Sequence, residues 1–114
     1  MDKLHDIQQS INKWELELAG ARKERSDLSI NVEIYEFHMS QLDERDEGYQ
    51  NTKEYYEKLR EQSLKAMHKH QKTIKFFESK IEGLKEEREA ERLARQQAAE
   101  ELKKQLEDEV AEDE

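Results

Sequence analysis

No proline and no cysteine occur among the 114 residues, and only three are glycine. Without proline nothing forces a helix to kink or stop, and three glycines give the backbone few places to turn. Without cysteine there is neither a disulfide framework nor a thiolate metal site, a pattern compatible with a reducing compartment. Long apolar runs are missing too: no stretch approaches the ~20 residues needed to span a bilayer. The N-terminal Met-Asp-Lys-Leu-His lacks an apolar core, so no signal peptide is expected. Together these absences point to a cytoplasmic protein with no membrane partner.

Positive charge is in short supply as well. The formal net charge is −9, and residues 107–114 hold six acidic and no basic groups, which leaves only −3 for the other 106 residues. Signs are mixed through the body of the chain, with no basic stripe for phosphate contacts, so nucleic acid is not expected as a partner.

What the sequence has is charge (43%) and a sparse but ordered apolar minority (33%). Leu4, Ile7, Ile11, Trp14, Leu18, Ala21, Leu28, Val32, Tyr35, Met39 and Leu42 recur at spacings of 3 and 4, with Arg25 the one polar intruder among twelve positions. That spacing places them in one seam along a helix, and another helix must cover the seam. Sustained periodicity also separates this chain from disordered chains of similar composition. The same phase continues through Asp46, Tyr49, Lys53, Tyr56, Arg60, Ser63, Met67, His70, Ile74, Phe77, Ile81 and Leu84, with fewer apolar members.

Two architectures satisfy the pattern. In a parallel dimer of one unbroken helix, Arg25, Asp46, Lys53, Arg60 and His70 would each face their own copy, and like charges opposed across a seam are destabilising. In an antiparallel hairpin, residues whose numbers sum to 95 pair: Ile11 with Leu84, Trp14 with Ile81, Leu18 with Phe77, Ala21 with Ile74, Leu28 with Met67, Met39 with Tyr56. Arg25 and His70 then share a layer. The midpoint falls beside Gly48, in the polar run Asp43-Glu44-Arg45-Asp46-Glu47-Gly48, where glycine tolerates the left-handed conformation. Asn51 followed by Glu54 resembles a capping box for a new helix. The expected fold is therefore all-α: a long antiparallel two-helix coiled-coil hairpin that associates into a four-helix bundle or with a partner helix. The hairpin should span 1–93 with its turn near 45–51, the first helix running to about 45 and the second from about 51. Residues 94–106 should form an overhanging charged helix, held by pairs such as Glu91 with Arg95 and Glu100 with Lys104. Residues 107–114 should be an acidic tail that frays, because acidic groups at a helix C-terminus oppose the dipole.

Partner binding is expected from a second apolar strip off the main seam: Ile30, Ile34 and Phe37 on the first helix, with Tyr55, Leu59 and Ala66 on the second, both toward the turn. The alternative is that Ile34 and Phe37 only widen the intramolecular core. Arg25 and His70 form a candidate register layer, since a polar layer in an apolar seam can fix alignment. A histidine there could loosen the layer when it gains a proton beside Arg25. Gly20 and Gly83 are expected to make room for Phe77 and Trp14.

Candidate chemistry is thin. His68 and His70 lie i,i+2 and point about 200° apart on a helix, so no metal site is expected. Trp14 and Tyr35 read as packing groups on the seam. No Ser-His-Asp set, glycine-rich phosphate loop or concave core is evident, so neither enzyme activity, a cofactor nor a small-molecule substrate is expected. The helix-turn-helix outline is similar to that of small secretion-associated hairpin proteins, though the tryptophan-x-glycine turn of one such family is absent, Trp14 being followed by Glu15 and Leu16. The functional expectation is a non-catalytic interaction module: a small helical adaptor or chaperone for a larger protein of the secretion or assembly type, or for its own copy as a homodimer. The alternative is a structural spacer rod.

Overall fold

A computed structural model describes residues 2–113. Two helices account for nearly all of them, α1 at Lys3–Ser40 and α2 at Tyr49–Asp113, joined by residues 41–48. No described helix is long and apolar enough to cross a membrane. The chain is an all-α antiparallel hairpin, so the single continuous helix is ruled out.

Local chemistry explains where each helix begins and ends. The Asp2 carboxylate accepts the Leu4 amide at 3.0 Å, and the Asp2 carbonyl accepts the Asp6 amide, so Asp2 caps α1. The Arg95 guanidinium bonded to it holds the Asp2 carboxyl below its ordinary range. At the other end, α1 stops at Ser40 rather than near 45. The Ser40 hydroxyl donates back to the Phe37 carbonyl at 2.6 Å, a local bond that competes with helix continuation. Gln41 and Leu42 donate to His38 and Met39, tightening the last turn. The Asp43 carboxylate then takes the Arg45 amide at 2.9 Å and its guanidinium at 3.1 Å, a side-chain turn of the kind aspartate favours.

Gly48 has φ +86° and is the one described residue with positive φ. Its carbonyl accepts the Thr52 amide at 3.0 Å, so α2 starts directly after it. The capping box expected at Asn51 and Glu54 is therefore not used. Asn51 already lies inside the helix, and Glu54 accepts instead from Gln50 at 3.0 Å.

The described residues fall into two compact units, one joining the start of α1, as far as Trp14, to α2 from Ser79 onward, the other Glu15–Glu78. In the first unit Ile7, Ile11 and Ile81 are buried, with Leu4, Trp14, Leu84 and Arg88 half-buried. Its cross-helix contacts pair Trp14 with Lys80, Gln8 with Arg88 (2.7 Å), Lys3 with Glu91 (3.6 Å) and Asp2 with Arg95, numbers that add to about 95. In the second unit Leu18, Ala21, Val32, Ser63 and Ile74 are buried. There Arg22 meets Glu78 (3.5 Å), Glu24 meets His70 (3.4 Å) and Glu36 meets Arg60 (2.8 Å), which places the same antiparallel register in this unit. Every buried residue in both units belongs to the 3–4 series read from the sequence.

The charged core positions are accommodated at the edge of the seam. Arg60 keeps a half-buried stem while its guanidinium reaches Glu36, and Lys53 pairs with Glu57 and lies over the Tyr49 ring. Gly20 and Gly83 do not make room for Phe77 or Trp14: a Cβ at either meets nothing within 4 Å. From Arg92 to Ala111 every α2 residue is exposed, yet the helix continues to Asp113, past the point where fraying is expected. Ala, Glu, Lys, Gln and Leu dominate this stretch, and their high helix propensity outweighs a dipole penalty confined to the last turn.

The three glycines thus separate by backbone alone. Gly48→Ala is expected to lower the stability by about 1 kcal/mol, because an L-residue resists positive φ even in open space. Gly83→Ala should raise it by about 0.5–1 kcal/mol, through helix propensity. Urea midpoints at constant slope read both.

Candidate interaction surface

The second unit carries the apolar groups that its own seam does not use. Ile30, Ile34 and Phe37 lie on α1 at spacings of 4 and 3 and are 51%, 44% and 62% exposed; Tyr55 on α2 is 61% exposed. Leu59 and Ala66 are half-buried and flank the seam rather than stand clear of it. The expected strip is therefore strongest at four of its six residues.

Rings connect the two halves. His38 stacks on Tyr56 across the helices, with centroids 5.2 Å apart and planes 15° off parallel. Phe37 meets His38 edge-on at 6.0 Å, and Tyr55 meets Tyr56 edge-on at 5.4 Å. Tyr35 approaches Tyr56 at 6.4 Å. Phe37 of α1 and Tyr55 of α2 thus become the two outer ends of one aromatic cluster, joined through His38 and Tyr56. Such edge and offset arrangements are favourable beyond the area they bury. Helix geometry produces this: residue 38 flanks the seam one position beyond Phe37, and Tyr56 occupies the seam itself.

Sequence reasoning missed His38, which reads as a lone polar residue until the partner helix supplies Tyr56. It also missed Leu16, Leu64 and Phe76, exposed by 76%, 37% and 58%. For Leu16 a signal existed, since counting back in sevens from Phe37 gives Ile30, Lys23 and Leu16.

The proposed register layer is built differently from expectation. Arg25 is exposed, and the group facing His70 is Glu24, whose Oε2 lies 3.4 Å from Nε2. The imidazole therefore meets a carboxylate rather than a guanidinium. Glu24 and His70 border a shallow open groove with Leu16, Gly20, Thr73 and Phe77 on its walls. Among the described residues no three His, Asp or Glu side chains are grouped to hold a metal ion.

No family model, curated protein or solved structure matches this chain. The arrangement of its own side chains is what bears on function.

Phe37 and Tyr56 should respond differently to truncation. Tyr56→Ala removes the ring on which the cluster converges and is expected to cost about 1–2 kcal/mol. Phe37→Ala, at an exposed site, should change stability by less than about 0.5 kcal/mol. Thermal melts of the two variants check the contrast; an equal loss would mean that Phe37 is held for folding.

Proposed function

We propose that this protein is a non-catalytic coiled-coil interaction module, a small helical adaptor or chaperone that acts in the cytoplasm by docking a further helix, from a partner protein or a second copy of the chain, onto its second unit. The observation that carries this reading is the row Ile30, Ile34 and Phe37, each at least 44% exposed, continued by the ring cluster to Tyr55. Anchors at i, i+4 and i+7 fit an amphipathic partner helix. Exposed aromatic groups backed by a rigid support are the kind of feature that dominates binding energy.

A spacer that only holds its ends apart gains nothing from such a row. Large exposed apolar groups cost solubility, and soluble chains confine contiguous ones to places where something binds. Three side chains of this size within two turns of α1, with Tyr55 on α2 beside them, on a body that is 43% charged favour the adaptor over the spacer.

Ile34→Lys combined with Phe37→Lys tests the proposal. Helicity by circular dichroism should be unchanged, because neither residue belongs to the intramolecular seam. In quantitative affinity capture, proteins recovered with the wild-type chain should fall by tenfold or more with the variant, as expected on losing two anchors. Undiminished recovery would contradict the proposal. Loss of helicity would do so too, by placing both residues in the core.

A further inference from the structure

The face of α1 turned away from the intramolecular seam carries a second 3–4 series: Leu16, Gly20, Lys23, Asp27, Ile30, Ile34 and Phe37. All lie in the second unit, and Leu16, Ile30, Ile34 and Phe37 are 76%, 51%, 44% and 62% exposed. We propose that the occupant of this face is a second copy of the chain, its α1 packed antiparallel against the first about a two-fold axis level with Arg25. This inference rests on the interaction-module reading, because it takes the same face and names what covers it.

Self-complementarity carries the argument. When the run from Leu16 to Ile34 is laid against its own reverse, Leu16 falls opposite Ile34 of the copy and Gly20 opposite its Ile30, while Phe37 reaches past the run to lie opposite Lys13. Lys23 falls opposite its Asp27, and each pairing recurs on the other side of the axis. Two apolar layers on each side therefore flank two opposite-charge pairs at the centre, as an isologous interface requires. A parallel pairing would set Lys23 on Lys23 and Asp27 on Asp27, which is repulsive. Sliding the antiparallel pair by one heptad fails in both directions. One shift buries Lys23 against Ile34 and Asp27 against Ile30; the other sets Leu16 on Asp27 and Gly20 on Lys23.

Two further observations fit. Gly20 is an unfavourable residue inside a helix, and a Cβ there would meet nothing within 4 Å in its own chain. A second backbone approaching at that level, with Ile30 of the copy laid over it, supplies the reason the chain itself does not. Lys23 and Asp27 are exposed, and neither takes part in an ion pair among the described residues, which leaves both available. Glu24, one residue from the level of the axis, is turned toward His70 of its own chain.

The test is the solution mass of the full chain by sedimentation equilibrium at low salt. Wild type should be a dimer of the 13.7 kDa chain. Lys23→Glu alone and Asp27→Lys alone should each raise the dimer dissociation constant by tenfold or more, since each turns both central pairs repulsive. An equimolar mixture of the two variants should recover the dimer, because every introduced charge then faces an opposite one and the remaining Lys23 faces the remaining Asp27. A merely intrahelical effect of either change could not be repaired by mixing. A wild-type monomer at high micromolar concentration overturns the proposal, as does a dimer indifferent to both variants. If wild type is monomeric while Ile34→Lys with Phe37→Lys still releases captured proteins, the adaptor reading stands and the second copy falls. If mixing restores the dimer while capture is unaffected by the lysine variant, the second copy stands and the adaptor reading falls.

Discussion

One constraint governs this molecule: apolar side chains are scarce, and those the fold buries lie on a single line kept in phase along both helices. With 43% of residues charged, there is no compact core to fall back on. Each helix can bury its line only against the other, which fixes antiparallel pairing in both units. The burial pattern obeys this without exception, since Ile7, Ile11, Leu18, Ala21, Val32, Ser63, Ile74 and Ile81 all fall on the line. Ser63 is the informative member. Its place opposite Val32 is set by phase and not by hydrophobicity, and its small side chain is tolerated with no buried polar atom left unsatisfied.

A fold organised by one line leaves everything off the line to face water. For Lys, Glu and Arg that is favourable, and cross-helix contacts such as Glu36 with Arg60 follow from proximity and add modestly at exposed sites. For Ile30, Ile34, Phe37 and Leu16 it is not. Their exposure is a consequence of the same geometry that orders the core, and it concentrates on α1 within the second unit. The aromatic cluster ties that region to the seam, because Tyr56 sits on the seam and stacks on His38, which in turn meets Phe37. As a proposed docking face, that region would lose less entropy on binding than one built on a loop.

Most of the fold was legible because period is a long-range signal repeated many times. Gly48 announced the turn, and the register followed from matching the two arms about it. Features that depend on one local bond were not legible. The end of α1 at Ser40 rests on a hydroxyl returning to the Phe37 carbonyl, and the entry to α2 rests on the backbone of Gly48 rather than on the Asn51–Glu54 pair. Arg25 was assigned to a layer with His70 by position alone. Its long side chain leaves the seam, and the adjacent Glu24 meets the imidazole instead. For the candidate surface, residue type and spacing located Ile30, Ile34, Phe37 and Tyr55. The joining of its two halves through His38 and Tyr56 required both helices in place.

The central claim is that α1 and α2 of one and the same chain form the seam. The native sequence has no cysteine, so pairs can be introduced cleanly at Gln8 with Arg88 in the first unit and at Glu36 with Arg60 in the second. Bridging them with a short bis-maleimide in a mixture of isotopically labelled and unlabelled chains reads the connectivity directly by mass spectrometry. The account predicts that both pairs bridge within a single chain, giving peptides of uniform label. Bridges of mixed label, joining position 8 or 36 of one chain to position 88 or 60 of another, would contradict it.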